Sequence, residues 1–259
     1  MNKKYHVYGI GNALVDMEFE VSDHFLDNHK IEKGVMTLVN EEIQDRLVQA
    51  INHDDAILKS GGSAANTVYA LSQFGGNAYY SCKVADDDFG SFYLQDLQEA
   101  GIRTNLDGKS REQGITGKCL VMVTDDAERT MNTYLGITTY LSVNEIDEEA
   151  IHDSEYVYIE GYLVASDTGF EAMKTVKKAA EKNGVKTSLT LSDPSILEYF
   201  KGRFKEVIGA SVDLLFCNEE EAMMLTGKES LSEAREALKQ EAKRFAITQG
   251  KNGAMIWDG

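Results

Sequence analysis

The N-terminal part of the chain contains apolar patterns of two kinds. Residues 5–10 form a mostly apolar run, which predicts a buried strand. Residues 17–21 and 34–39 instead alternate apolar and polar positions, as strands with one solvent-facing side do. A short helix is predicted between them at 22–30. Alternating strands do not fit inside a parallel sheet that helices cover, so we predict that they form a small separate β-layer.

Further along the chain, helices with one apolar face alternate with short apolar strands. Helices are predicted at 41–51, 88–100, 167–182, within 196–208, and at 219–225 and 230–243. Strands are predicted at 78–84, 117–124, 129–135, 156–159, 185–191, 214–217, 245–248 and 254–257. Asp167 is the expected N-cap of its helix. This alternation predicts an α/β fold, with a doubly wound, mostly parallel sheet between two layers of helices.

The composition narrows the classes of partner. The 259 residues carry a formal net charge of -17, which disfavours nucleic-acid binding because that needs a basic surface. The three cysteines are far apart, which favours a reducing compartment over a disulfide framework or a zinc site. Residues 1–7 lack the apolar run of a signal peptide, and no segment has the length of a membrane span. We therefore expect a cytoplasmic protein, as a monomer or a homodimer.

The stretch Gly61-Gly62-Ser63-Ala64-Ala65-Asn66 has the strongest local signal for a binding site. It precedes a helix that has one apolar face and that should end at Gly75-Gly76. Two glycines let another molecule approach the backbone, and the unpaired amides of the first turn can bind polar groups. Asn66 adds a side chain that both donates and accepts hydrogen bonds. The pattern suits a polyhydroxylated ligand such as a sugar, although a plain strand-to-helix turn has the same residues.

Polar residues also follow several predicted strands, where ligands of open parallel sheets collect. They are Asn12, Asp16, Asp193, Asn218, Glu219, Glu221 and the loop Thr248-Gln249-Gly250-Lys251-Asn252-Gly253. A carboxylate at position 16 can accept two sugar hydroxyls, and oxygen ligands near position 221 suit magnesium. The loop at 248–253 can bring backbone amides to a nucleotide phosphate.

Each of these positions also has a purely structural interpretation. Asp16 can be a turn aspartate, and Asn218 can be an N-cap followed by acidic first-turn residues. The loop 248–253 can be a hairpin turn, and Arg129 can be a solvated strand residue. Gly9-x-Gly11 begins a dinucleotide-binding fingerprint, but Leu14 stands where its third glycine belongs. A nicotinamide-dependent oxidoreductase is therefore disfavoured.

Taken in order, the motifs resemble the ribokinase-like (PfkB) carbohydrate and nucleoside kinases. Four motifs match those of the family. They are the opening strand with Asp16, the glycine stretch 61–66 with its continuation to Asp86-Asp87-Asp88-Phe89-Gly90, the N-x-x-E of Asn218 to Glu221 and the T-x-G-x-x-G of residues 248–253. Residues 116–119 and 126–130 look closest to the adenosine-kinase branch. The resemblance implies a single ribokinase-like domain over residues 1–259, with a β-lid from about 13–39 and about 115–135.

The same resemblance implies ATP as phosphate donor, Mg²⁺ as bridging ion and a sugar or nucleoside as acceptor. The residues implied in acceptor binding are Asn12, Asp16, Gly61, Gly62, Ser63 and Asn66. Those implied at the nucleotide are Asp193, Asn218, Thr248, Gly250 and Gly253, with Glu221 at the metal. Arg129 matches a residue that lies near the phosphate being transferred.

One family motif is missing. The second signature, D-T-x-G-A-G-D, contains the aspartate that acts as general base, and it does not occur in this sequence. We therefore expect the domain to lack its C-terminal part, because either the sequence stops early or the protein is a truncated relative. The leading hypothesis is an ATP-dependent sugar or nucleoside kinase, and the alternative is a non-catalytic binding protein or degenerate kinase without the base.

Overall fold

The computed structural model describes residues 3–51 and 56–259, so residues 1, 2 and 52–55 of the predicted domain lie outside it. Its larger sheet is parallel except for one antiparallel edge pair. Across this sheet the strands run β13 (Ala254–Trp257), β12 (Phe245–Thr248), β11 (Leu214–Asn218), β10 (Lys186–Thr190), β9 (Ser154–Ile159), β1 (Tyr5–Ile10), β5 (Ala78–Ser81) and β6 (Arg103–Thr104). The predicted mostly parallel sheet is confirmed.

Helices cover both faces of this sheet. The α-helices of the described residues are α1 (Asp23–His29), α2 (Glu41–Ala50), which packs on the smaller sheet described below, α3 (Ser63–Gln73), α4 (Asp88–Glu99), α5 (Glu148–His152), α6 (Asp167–Lys182), α7 (Pro194–Ile208), α8 (Glu219–Thr226) and α9 (Leu231–Leu238). Strand β1 shows why two layers are needed. Tyr8 and Ile10 belong to the core formed with α6 and α7, whereas Gly9 faces Val68 of α3 on the other side. Side chains alternate across a strand, so both faces of β1 are buried.

Two predictions about helix ends were wrong. Ser166, and not Asp167, caps α6, and its hydroxyl accepts a hydrogen bond from the Gly169 amide at 3.0 Å. Both residue types are good N-caps, so the sequence does not distinguish adjacent candidates. The helix predicted at 230–243 ends at Leu238, because the chain then turns to enter β12.

A second sheet of five strands stands beside the larger one. Its order is β3 (Met36–Leu38), β8 (Arg129–Tyr134), β7 (Gly117–Val123), β2 (Leu14–Glu20) and β4 (Ile57–Gly61). Strand β4 was not predicted and lies outside the two ranges expected for the lid. It pairs antiparallel to β2, with Leu14 opposite Gly61. Gly61 therefore ends a strand of the smaller sheet, immediately before α3.

Alternation along β2 gives the smaller sheet two different faces. Val15, Met17 and Phe19 are buried in the core that α2, α3 and α4 share. Asp16 and Glu18 point to the opposite face, where they are only half-buried. One face of the smaller sheet thus displays acidic side chains. Within the described ranges, no helix combines the length and the apolar character needed to cross a bilayer.

Candidate active site

The sheet order brings the polar residues that follow the strands to one edge of the larger sheet. Strands β12, β11, β10, β9 and β1 are consecutive neighbours and are all parallel. Asn218 lies directly opposite Thr248 in the register of β11 and β12. Asn12 follows β1 and contacts the residue that follows β9. The residues predicted from strand ends therefore line one continuous edge, except Asp16, which lies within β2 of the smaller sheet and not at a strand end or in a turn.

A cavity of about 420 Å³ lies where the smaller sheet meets α3. The polar side chains in its lining are Asp16, Glu18, Lys59, Ser60, Asn66 and Arg129. Asp16 comes from β2, Arg129 from β8 and Asn66 from the first turn of α3, where its side chain is exposed. Three of the predicted functional residues, which are far apart in sequence, are thus brought into one cavity. A wall of mixed donors and acceptors is what a polyhydroxylated ligand needs.

The Asp16 carboxylate is the most unusual group in this cavity. Burial raises its pKa to about 6, while the positive charges of Arg129 and Lys59 act in the opposite direction. No side chain or amide within the described ranges donates a hydrogen bond to it. A half-buried carboxylate without an internal donor is available to accept hydrogen bonds from a ligand. Its perturbed pKa is typical of a functional site.

The two glycines before α3 have different structural roles. A Cβ on Gly61 would lie 2.3 Å from the nearer Asp16 carboxylate oxygen, so this glycine leaves room for that side chain. Gly62 has a φ of 104° and carries no side chain to cap the helix, and a Cβ there would lie 2.2 Å from the Asn12 carbonyl oxygen. Ser63 is the first residue of α3, and its carbonyl accepts a hydrogen bond from the Thr67 hydroxyl.

Glu160, which sequence reasoning missed, is at the centre of this region. Its side chain is buried and accepts hydrogen bonds from the Asn12 amide at 3.1 Å, the Asn12 side-chain nitrogen at 2.9 Å and the Ala64 amide at 2.8 Å. Burial raises its pKa to about 7, although the three N–H donors act in the opposite direction. Glu160 follows the predicted strand 156–159, so the rule that nominated Asp193 would also have nominated it.

Asn12 is held by this carboxylate, and Gly11 leaves room for it. Asn12 is buried, and its side-chain amide donates to Glu160, while its carbonyl accepts from the Tyr80 hydroxyl at 3.0 Å. A Cβ on Gly11 would lie 2.4 Å from a Glu160 oxygen, and one on Gly9 would lie 2.7 Å from Val68. The glycines of Gly9-x-Gly11 therefore accommodate the protein's own side chains, which is a structural reason for their presence without a dinucleotide.

The opposite end of the edge contains the residues predicted to bind the nucleotide. Asn218 and Glu221 form a capping box at α8, with two hydrogen bonds of 2.8 Å. Asp193 caps α7 and accepts a hydrogen bond from the Ser195 amide at 2.8 Å. Residues 248–253 connect two antiparallel strands, so the hairpin interpretation also holds. A Cβ on Gly250 or Gly253 would meet no atom within 4 Å, so this loop leaves open space for a ligand.

The acidic residues here suit a magnesium ion that phosphates also ligate. In the part of the chain that the structure describes, no three His, Cys, Asp or Glu side chains are grouped to hold a metal. Burial raises the pKa of Glu221, and the negative charges of Asp193 and Glu220 raise it further. Mg²⁺ bound to nucleotides typically uses one or two carboxylates, water and phosphate oxygens. Glu221 and Asp193 are the carboxylates that this end of the edge offers for such a partial ligand set.

Residues 42–259 match the family model described as pfkB family carbohydrate kinase. The chain belongs to the pfkB family. The resemblance inferred from its motifs is thus confirmed. This pfkB chain is similar to the solved adenosine kinase from Sinorhizobium meliloti, with 33% identity and a TM-score of 0.88 over 98% of this chain and 77% of that one. It is equally similar to a probable sugar kinase protein from Rhizobium etli CFN 42, with 31% identity and a TM-score of 0.89 over 98% and 76%.

Among curated proteins, this pfkB chain is similar to the guanosine-inosine kinase of Escherichia coli K12. The two are 25% identical over 229 residues, which are 86% of this chain and 53% of the relative. The chain thus spans about half the length of that relative. The fold predicted from the sequence, an α/β/α sandwich of the ribokinase-like type with a second small sheet, agrees with these structural neighbours.

Proposed function

We propose that this protein transfers the γ-phosphate of ATP to a hydroxyl group of a sugar or nucleoside. The observation that carries the proposal is the Asp16 carboxylate, which lies in a cavity with Arg129 and receives no hydrogen bond from within the described ranges. Membership of the pfkB family and the similarity to adenosine, sugar and guanosine-inosine kinases support it. The curated relative is longer than this chain, and we propose the same type of activity for the whole protein.

In the proposed complex, Asp16 accepts hydrogen bonds from two acceptor hydroxyls, and Asn66 binds a third polar group. Gly61 and Gly62 make room for the Asp16 carboxylate and the Asn12 carbonyl, and their backbone, where α3 begins, is proposed to lie beside the sugar ring. The Arg129 guanidinium stabilises charge that develops on the transferred phosphoryl group, because its planar fork matches phosphate oxygens. Phosphoryl transfer depends on positioning and on charge stabilisation, so the chain's task is to fix these groups while the smaller sheet closes over them.

The donor nucleotide is proposed to lie along the edge from Asp193 to residues 248–253. Thr248, Gly250 and Gly253 would line the nucleotide, and Asn218 would orient its phosphates. Glu221 and Asp193 would hold Mg²⁺ through water, and the ion would neutralise phosphate charge. Chelation by EDTA should abolish turnover, and added Mg²⁺ should restore it. Activity that persists unchanged in EDTA would contradict the magnesium assignment.

The acceptor class is the finer part of the proposal. The two solved relatives above 30% identity are an adenosine kinase and a probable sugar kinase, so both adenosine-like nucleosides and ribose- or fructose-like sugars are retained. The direct experiment is to incubate the complete protein with ATP, Mg²⁺ and adenosine, inosine, guanosine, ribose or fructose, and to measure ADP. Phosphorylation of one class assigns the substrate. Binding without turnover across the panel would favour the non-catalytic alternative and overturn the kinase proposal.

The state of the thiols supports a proposal for the cellular setting. Cys82, Cys119 and Cys217 are buried and unpaired. Free buried thiols suit a reducing compartment, and we propose the cytoplasm. The oligomeric state stays a prediction of monomer or homodimer, which light scattering of the complete protein would resolve.

A further inference from the structure

Helix α3, which carries Asn66, begins without a cap of its own. Its N-cap position is Gly62, which has no side chain to accept a hydrogen bond from the first-turn amides. Uncapped amides at a buried helix end are costly. The Ala64 amide donates instead to Glu160 at 2.8 Å. Glu160 lies 96 residues further along the chain, directly after β9. A residue remote in sequence therefore supplies the missing cap.

The second oxygen of the same carboxylate holds the end of β1. It accepts both the backbone amide and the side-chain amide of Asn12, at 3.1 and 2.9 Å. One carboxylate thus joins the ends of β1 and β9 to the start of α3. The glycine at position 11 leaves the space that this carboxylate occupies. All three partners are neutral N–H groups, and no cation within the described ranges forms an ion pair with Glu160.

From this bridge we infer that Glu160 is a positioning residue for the acceptor, acting through Asn12 and through the helix start that carries Gly62 and Asn66. The inference rests on the proposed function, which places Gly62 and Asn66 at the acceptor, and on the family resemblance, which implies Asn12 in acceptor binding. Glu160 is not proposed to touch the acceptor, because its oxygens are turned inward to amide donors. Its effect should therefore appear in the affinity for the acceptor and not in the affinity for ATP.

The bridge should also depend on pH. Protonation would turn one acceptor oxygen into a donor that faces an amide N–H, and one of the three hydrogen bonds would be lost. Burial raises the pKa of Glu160 to about 7. The titratable groups nearest to it are the tyrosines whose pKa values its charge raises, Tyr80, Tyr93, Tyr158 and Tyr162, all of which stay neutral at that pH. The bridge should be intact above pH 7 and weakened below it.

The test compares Glu160→Gln with Glu155→Gln in the complete protein. Glu155 is an exposed residue of β9, so it is a matched control for the same substitution on the same strand. In Glu160→Gln, an NH₂ group replaces one acceptor oxygen and faces an amide N–H, so a hydrogen bond is lost. The acceptor KM of Glu160→Gln should rise at least tenfold, while the ATP KM changes less than twofold. Glu160→Asp keeps the charge and should restore part of the loss. An acceptor KM of Glu160→Gln within twofold of the control overturns the inference.

A second measurement does not depend on catalysis. In the wild-type protein, the amide resonances of Asn12 and Ala64 should titrate together with one midpoint near 7, because both report on Glu160. This joint titration should disappear in Glu160→Gln, which has no ionisable side chain, and should persist with a shifted midpoint in Glu160→Asp. If the protein phosphorylates no acceptor but the two amides titrate together, the bridge stands and the proposed function fails. Separate midpoints, or a joint titration that persists in Glu160→Gln, would refute the bridge itself.

Discussion

The carboxylate of Asp16 lies where a side chain on Gly61 would have to stand. A Cβ added to Gly61 would approach the two Asp16 oxygens to 2.3 and 2.6 Å. The contact follows from the pairing of β2 with β4, in which Leu14 lies opposite Gly61 and Asp16 lies opposite Lys59. The first glycine of the motif is therefore needed to place the carboxylate that we propose binds the acceptor, whatever ligand also approaches it.

Gly61→Ala should displace Asp16 without unfolding the protein. The atoms that would clash are the end of a short side chain that can rotate away, so the cost in stability should stay at about 1–3 kcal/mol. A displacement of about 1 Å at a reacting group typically costs on the order of 100-fold in rate. Acceptor kcat/KM should fall by about that factor. Gly202→Ala is the control, since a Cβ there meets nothing within 4 Å. Equal activity of both variants would contradict the role given to Gly61.

Asp16→Asn should remove activity and stabilise the fold at high pH. The pKa of Asp16 is raised from 3.8 to about 6, so the folded protein favours its neutral form. The corresponding stability is fully present below pH 3.8 and is lost as the pH rises through about 6. Asparagine avoids this loss, so the free energy of unfolding at pH 8 should rise by on the order of 2 kcal/mol. Denaturant unfolding at pH 8 and at pH 3.5 measures it, and a gain of equal size at both would refute the explanation.

The pH–rate profile of the wild-type protein should show the same carboxylate. Asp16 accepts hydroxyl hydrogen bonds best when ionised, so acceptor kcat/KM should fall as the pH drops through about 6. At high acceptor concentration the fall should be smaller, because bound hydroxyls stabilise the ionised form. A profile that stays flat between pH 8 and 5 would mean that Asp16 does not bind the acceptor in its charged form.

The sequence predicts those elements whose local pattern reflects their burial. Strand β1 was predicted because a strand with two buried faces has a run of apolar residues. Helix α6 was predicted because a helix with one buried face has an apolar stripe. Strand β4 was missed because Ile57 is 56% exposed and Leu58 36% exposed, so its residues carry no burial pattern. It is an edge strand whose register comes from hydrogen bonding to β2. Such a strand is specified by its neighbour and not by its own side chains.

The candidate site also has features that the sequence predicts and features that it does not. Asp16, Asn66 and Arg129 could be nominated from motifs, but their meeting in one cavity depends on how the smaller sheet pairs. The place of Glu160 directly after a predicted strand could be predicted, but its hydrogen-bond partners Asn12 and Ala64 could not, because they are 148 and 96 residues away. Nothing near it in sequence indicates that a glutamate there is buried. Local sequence patterns do not show which distant residues a single polar side chain contacts.

Asn218→Ala should affect the nucleotide and leave the acceptor unaffected. The side chain caps α8 by accepting the Glu221 amide at 2.8 Å, and losing an N-cap costs about 1 kcal/mol. The ATP KM should rise severalfold, because Thr248 lies directly opposite in the sheet register and the helix start would loosen beside it. Ser230→Ala removes the N-cap of α9 and should cost similar stability. A similar change in ATP KM in both variants would show that only general stability is involved.

Arg129→Ala should slow phosphoryl transfer while leaving stability nearly unchanged. Arg129 is exposed on β8 and forms no ion pair within the described ranges, so its removal should change the free energy of unfolding by less than about 0.5 kcal/mol. Removing one preorganised donor to a developing charge typically costs about 100- to 1,000-fold in kcat. Arg129→Lys keeps the charge but loses the planar fork, and it should recover only part of the rate. Arg103→Ala, at an exposed residue on the edge strand β6, should retain full activity.

Arg129→Ala also gives an internal check, because the positive charge of Arg129 lowers the pKa of Asp16. Without that charge, the inflection of the pH–rate profile should move upward from about 6, toward neutral pH. Arg129→Lys should leave the inflection close to its original position, since the charge remains. A fall in kcat together with this upward shift would place Arg129 and Asp16 in one working site. A fall in kcat without any shift would mean that Arg129 acts on the phosphate from a position too far from Asp16 to affect it.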